Sequence, residues 1–399
     1  MRYVFCITSL LFFCISVNAN TCEKQNTDFY NERTENMSNK KELQKNLSVS
    51  QKRPQEPLRP YPYHEEEVTY KNKEAGVLLS GTFTIPKGPG PFPAVILIAG
   101  SGRYGRDATL CGHKTMLVLA DHLTRQGIAV LRFDKRGCGS STGNFEISTC
   151  EDFAGDVQAG IKYIKSRKEI NTNHIGLIGH SEGGLISSMV AAETQNVAFV
   201  VMMASPGVIG EEIVYEQCAL LARAEGETEE AITKGHKVLS QICDIIKKEA
   251  DDQVAKKKIL AIHKEHLAKL SETQKNAVET SMLNEFFEFI IRTIPWIRIL
   301  LTFEPASVLK KVKVPVLALF CDRDLLVPIK QNLLPFRKAL EVSGNNDYTI
   351  LQMPELNHRF QHCKIGTESE YTEIEETMAP EVLKIISEWI VARTIKDKK

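Results

Sequence analysis

Short, unbroken apolar runs recur along the chain at 94–99, 128–133, 175–178, 197–204 and 314–320. They lack the in–out alternation of a strand with one wet face, so they predict strands buried on both faces of a parallel sheet. Helical patterns at 114–126, 149–167 and 182–194 lie between them. Strand–helix alternation of this kind predicts an α/β fold, a mostly parallel doubly wound sheet with crossover helices. Two earlier strands are expected at 68–70 and 77–85, the second partly alternating and followed by a Pro-Gly cluster at 86–91. The alternation stops at Pro206. Residues 207–303 offer no strand pattern, are charged and helical, and end in an apolar stretch at 286–303. Strands resume at 314–320 and 348–351, with a last helix near 380–394. The reading is one sheet in two parts, 63–206 and 304–399, with 207–303 inserted as a helical lid.

The beginning of the chain bears on compartment. Arg2 gives a positive start, residues 4–17 are almost wholly apolar, and Val17-Asn18-Ala19 has the small-residue form of a cleavage site. Residues 1–19 are therefore expected to be a cleavable signal peptide, the protein secreted or periplasmic, and the mature chain to begin near Asn20. Removal takes Cys6 and Cys14 and leaves eight of the ten cysteines, with no CxxC pair among them. Residues 20–62 are rich in Asn, Lys, Glu, Gln and Ser and close on Pro54, Pro57, Pro60 and Pro62. Such a stretch buries too little apolar surface to order itself and is read as a disordered linker. Fifty basic and fifty acidic side chains leave no net charge, which disfavours nucleic acid as a partner. No apolar run reaches the roughly 18 residues of a membrane span.

Chemistry is expected at Gly179-His180-Ser181-Glu182-Gly183, which follows an apolar run directly and opens a helix. This is the strand–turn–helix setting of a nucleophile elbow, where the helix start offers N–H groups to a developing oxyanion. Gly139-Ser140-Ser141-Thr142-Gly143 matches the same pattern outside that setting, so Ser141 is read as turn chemistry. Gly100-Ser101-Gly102-Arg103-Tyr104-Gly105 with Asp134 imitates a dinucleotide fingerprint. Residues 106–112 intervene before any helix, which argues against a nicotinamide cofactor. An elbow serine needs an acid and then a base at later strand ends. Asp322 and Asp324 follow the 314–320 strand, and His358 follows the 348–351 strand. His263 and His266 lack the HExxH order and a third ligand, so no zinc is expected.

Taken together, Gly100-Ser101-Gly102 with Arg106-Asp107, Leu131–Ser140, Gly179–Gly184, Asp324–Pro328 and Leu356-Asn357-His358 resemble the α/β-hydrolase superfamily. The likeness is to its serine-aminopeptidase-like, esterase-type branch and spans about 65–394. It implies Ser181 as nucleophile, His358 as general base and Asp324 as orienting acid. It also implies an oxyanion hole from the backbone N–H of Glu182 and Ser101, with Gly102 as the fallback donor. Residues 134–140 are structural in such enzymes and brace the loop near the elbow. No metal, nucleotide or flavin cofactor is implied. The expected activity is hydrolysis of a small-molecule acyl ester through an acyl-enzyme. The rival readings are an aminopeptidase or amidase with the same triad, and an inactive hydrolase-fold binding protein.

Overall fold

The computed structural model describes residues 53–268, 284 and 287–394. The expected signal peptide, and the linker up to residue 52, lie outside the described residues. Along the chain run β1 (His64–Asn72), β2 (Val77–Ile85), β3 (Phe92–Ile98), a short hairpin of β4 (Thr109–Leu110) and β5 (His113–Lys114), and α1 (Thr115–Arg125). Next come β6 (Ala129–Phe133), α2 (Cys150–Lys165), β7 (Ile170–His180), α3 (Glu182–Glu193) and β8 (Phe199–Met203). Helices α4 (Gly210–Ala224), α5 (Glu229–Lys248), α6 (Asp252–Ala268), α7 (Ile294–Thr302) and α8 (Pro305–Leu309) follow. The chain closes with β9 (Val316–Cys321), α9 (Ile329–Ser343), β10 (Tyr348–Met353), α10 (Glu368–Glu373) and α11 (Pro380–Thr394).

Eight strands form one sheet in the order β1-β2-β6-β3-β7-β8-β9-β10. β2 runs antiparallel to both neighbours, and every pair from β6 to β10 is parallel. The continuous apolar runs have a direct cause: alternate side chains feed two cores. Ala94, Ile96 and Ile98 of β3 pack with α2 and α3, whereas Val95 and Leu97 pack with α1 and α11. β9 divides the same way, Val316, Ala318 and Phe320 against Leu317, Leu319 and Cys321. α2 begins on a capping box in which Thr149 and Asp152 satisfy each other's backbone N–H groups.

The inserted helices lie over the carboxyl edge of this sheet. α5 buries Ala231, Ile232, Gly235, Leu239, Ile242 and Ile246, a single apolar face at helical spacing. Lys247 ties α5 to α4 through Glu211 at 2.7 Å, and Arg298 of α7 donates to the Ile246 and Glu249 carbonyls at 2.7 and 2.9 Å. Among the described residues no helix is long and apolar enough to cross a membrane.

One boundary moves. Residues 53–62, read as the end of the linker, are docked on the core. Arg53 donates to the Ile374 carbonyl at 2.9 Å and the Cys111 carbonyl at 2.7 Å. Gln55 pairs with the backbone of Thr377 and Met378 at 2.6–3.0 Å. The docking uses side-chain bonds to backbone groups, which an argument from apolar content does not register.

Candidate active site

The tight turn at Ser181 follows from its neighbours. Ser181 has φ 56° and ψ −121°, a conformation rare for a residue with a side chain. Its N–H donates to the Met203 carbonyl at 2.8 Å, and its carbonyl accepts from Gly184 at 2.9 Å. A Cβ on Gly179 would sit 2.0 Å from the Gly183 carbonyl oxygen, and one on Gly183 would sit 2.1 Å from that of Ile98. Both glycines of the pentapeptide are thus required by backbone contacts. Ser141, in the competing pentapeptide, is buried and donates to the Asp134 carbonyl at 2.7 Å while accepting from the Ser80 N–H at 2.9 Å. That is a turn fastening.

The two acidic alternatives part clearly. Asp322 is exposed, whereas Asp324 is 4 % exposed in the loop after β9. Asp324 Oδ2 accepts from His358 Nδ1 at 2.8 Å, and its Oδ1 accepts from the N–H groups of Leu326 and Val327, both at 2.8 Å. With Nδ1 carrying the proton toward the carboxylate, His358 Nε2 keeps its lone pair. His358 is itself held from behind: its carbonyl accepts from His180 Nε2 at 2.8 Å. Burial, followed by the neighbouring His358 and Arg359, pushes the His180 pKa well down, so this imidazole is a neutral donor.

Ser101, Ser181, Glu182 and His358 all line one cleft enclosing about 810 Å³ of space open to solvent. Gly102, the fallback donor, has φ +121° and is not among the residues of the cleft wall. The side chain of Glu182 turns away into the core. It accepts from Lys135 Nζ at 2.9 Å and from Trp296 Nε1 of α7 at 2.7 Å. Lys135 Nζ also donates to the Gly100 carbonyl at 2.7 Å. A trans peptide directs its C=O and N–H oppositely, so this bond sets the direction of the Ser101 N–H. One buried ammonium therefore joins the two backbone segments that carry Ser101 and Glu182.

The rest of the 134–140 stretch is used in full. Burial alone would raise the Asp134 pKa, but Arg106 and the N–H groups of Ser140 and Arg106 hold it below the ordinary carboxylate value. A Cβ on Gly139 would lie 2.5 Å from that carboxylate carbon. Arg136 grips Asp156 through two bonds of 2.7 Å and Asp152 at 2.8 Å. The sequence reading places Lys135 in the bracing stretch and Trp296 in the apolar stretch but does not give their bonds to Glu182, and it does not reveal the further wall residues Gln217, Arg359, Glu368 and Tyr371. The Lys135 and Trp296 bonds to Glu182 close across 47 and 114 residues.

Of the apolar lid stretch, Leu300 and Phe303 line the cleft, whereas Trp296, Phe287 and Ile294 are buried core and Phe286 is outside the described residues. Among the described residues no group of three or more His, Cys, Asp or Glu could hold a metal. His263 instead bonds Asn284 at 2.8 Å.

A sheet of this topology, crossed by a serine elbow at its carboxyl edge and capped by an insertion after β8, is the α/β-hydrolase fold. Residues 113–362 match the family model described as serine aminopeptidase, S33, and the chain belongs to that family. It is 26 % identical over 301 residues to esterase EstD of Thermotoga maritima, a match covering 75 % of this chain and 60 % of that protein. It is 24 % identical over 274 residues to an uncharacterized 31.7 kDa Escherichia coli protein, covering 66 % of this chain and 83 % of the other. Among solved structures it resembles the Pyrococcus furiosus esterase Pf2001, with a TM-score of 0.50 and 18 % identity over 84 % of this chain and 92 % of that one.

Proposed function

We propose that the chain is an exported serine hydrolase that cleaves carboxylic esters through an acyl-enzyme. The observation that carries this reading is the buried Asp324–His358 pair, 2.8 Å apart, sharing a cleft with the strained Ser181. Ser181 Oγ attacks the ester carbonyl carbon as His358 Nε2 takes the hydroxyl proton. The tetrahedral oxyanion is held by the N–H groups of Ser101 and Glu182, each such donor being worth about 10²–10³ in turnover. Collapse breaks the carbon–oxygen bond to the alcohol, which leaves with the proton from His358. Water then attacks the acyl-enzyme by the same route, releasing the acid and restoring Ser181.

Ester rather than amide substrates are favoured by the lid wall. Ile213, Val214, Leu300 and Phe303 are apolar, and each methylene they cover contributes about 0.8 kcal/mol. The acidic residues at the start of α4 do not supply an amine site. Glu211 is held by Lys247 and Tyr215, and neither Glu212 nor Glu216 belongs to the cleft wall. The esterase name of the Thermotoga relative points the same way. An aminopeptidase reading draws on the family description and on Glu368 in the cleft wall, but the Arg359 guanidinium shares that wall and opposes an ammonium.

Specificity constants for nitrophenyl esters of increasing chain length, beside alanyl and prolyl nitroanilides, test the choice. Esters are expected to be faster, with kcat/KM rising along the short acyl chains. Faster anilide turnover that is lost on acetylating the amine would replace the esterase reading. For export, intact mass of the secreted or periplasmic protein should place the N-terminus near Asn20. Retention of residues 1–19 in the active form would make that segment an anchor.

A further inference from the structure

One helix face of the lid breaks its own pattern. Gly210, Ile213, Val214 and Gln217 of α4 follow at i, i+3, i+4 and i+7 and all line the cleft. The neighbouring lid wall of Val208, Leu300 and Phe303 is apolar, so the fourth position would ordinarily be Leu or Met. It is a glutamine that is 1 % exposed, and neither its Nε2 nor its Oε1 has a hydrogen-bond partner among the described residues. Gln361, equally buried, shows the usual arrangement: its Nε2 donates to the Glu376 carbonyl at 2.8 Å, and its Oε1 accepts from Asn357 at 3.1 Å. Leaving a buried amide unmade costs about 1–3 kcal/mol per group, and such exceptions are uncommon in native proteins. A leucine at 217 would avoid that cost, so the amide has a use outside the folded chain.

Building on the esterase reading, we propose that Gln217 is a specificity-determining residue that pairs with a neutral hydrogen-bonding group on the part of the ester lying under the lid. An amide or a hydroxyl suits it, because each offers both a donor and an acceptor to the Gln217 carboxamide. An ionised group does not. Burying a charge requires a countercharge; the lid face of Val208, Ile213, Val214, Leu300 and Phe303 supplies none, and Arg359 and Glu368 of the same cleft stand on the loop after β10 and on α10 instead. The substrate class is therefore esters carrying a hydroxyl or carboxamide some carbons from the scissile bond, in preference to plain alkyl esters.

The test uses two ester series, with the polar group in the acyl chain of one and in the alcohol of the other. Each member is matched to a plain alkyl ester of equal length. The wild type is expected to favour the polar member in one series by about tenfold in kcat/KM, equal to roughly 1.4 kcal/mol. In Gln217→Leu that preference should vanish or reverse. Gln217→Met serves as a second apolar variant, and thermal melting of both should match or exceed the wild type, since an unmade amide is removed. An unchanged polar-to-plain ratio in both variants would overturn the proposal. So would an equal fall for both substrates together with a lowered melting point, the mark of a packing role. Failure of the wild type to turn over any ester is a distinct result: it would sink the esterase reading, and this proposal with it.

Discussion

Replacing Lys135 by Met separates stability from rate at the proposed oxyanion hole. The methionine keeps the length of the stem and removes the ammonium, which stands 4.7 Å from the centre of the Phe153 ring. Glu182, 1 % exposed, is then a buried carboxylate whose remaining side-chain partners among the described residues are Trp296 Nε1 and, more distantly, the Cys150 thiol at 3.6 Å. Breaking a buried pair this way costs about 3–5 kcal/mol. At roughly 2 cal/mol/K of unfolding entropy per residue, a fold of this size should lose on the order of 5 °C in melting temperature. Separately, the Gly100 carbonyl loses its 2.7 Å bond, and the Ser101 N–H its fixed direction. Misdirecting one oxyanion donor should lower kcat by about 10² with KM little changed. Adding Glu182→Gln removes the stranded charge while retaining an acceptor for Trp296 and the backbone N–H at 182. The double variant should recover most of the melting temperature and none of the rate. Nitrophenyl ester kinetics beside thermal melts read both quantities. Recovery of kcat together with stability, or a full kcat in Lys135→Met alone, would refute the positioning role of Lys135.

Two further outcomes follow from the same geometry. Asp324→Asn keeps the loop acceptor but turns a donor toward His358 Nδ1, which favours the wrong tautomer; ester turnover should fall about 10⁴-fold, whereas Asp322→Asn, at an exposed position, should change it little. His113 bonds Thr377 Oγ1 at 3.0 Å and the Tyr371 carbonyl at 2.8 Å, and burial pushes its pKa from 6.5 down to about 4. The unfolded chain thus binds the extra proton between about pH 6.5 and 4, so stability is present above this window and is lost as pH falls through it. In urea titrations His113→Gln should flatten that slope by up to about 1.4 kcal/mol per pH unit, and an unchanged slope would remove His113 from the account.

The inner strands β3, β6, β7, β8 and β9 are legible in the sequence because burial on both faces leaves unbroken apolar runs, whereas β1, β2 and β10 at or near the sheet edges keep exposed or half-buried positions and show weaker patterns. β4 and β5 escape the same reading because two residues each carry no period. β7 begins earlier than expected, since its Asn171-Thr172-Asn173 segment extends the strand with polar residues. Ser181 stands out locally because a strained turn demands small neighbours at fixed offsets. The choice of Asp324 over Asp322 depends on which one the loop turns inward, and local sequence alone leaves both open. The bonds of Lys135 and Trp296 to Glu182, and the role of Gln217, are illegible for a further reason. The Lys135 and Trp296 bonds to Glu182 close across 47 and 114 residues, and the burial of Gln217 depends on helices that pack only in the finished fold.

The most direct measurement is fluorophosphonate labelling of the purified protein followed by peptide mapping. The adduct should sit on Ser181, the residue with φ 56° at the end of β7. Ser181→Ala should abolish labelling and ester turnover together, and Ser141→Ala, if folded, should retain both. An adduct on Ser141, or labelling and ester turnover that survive in Ser181→Ala, would contradict the assignment of Ser181 as the nucleophile.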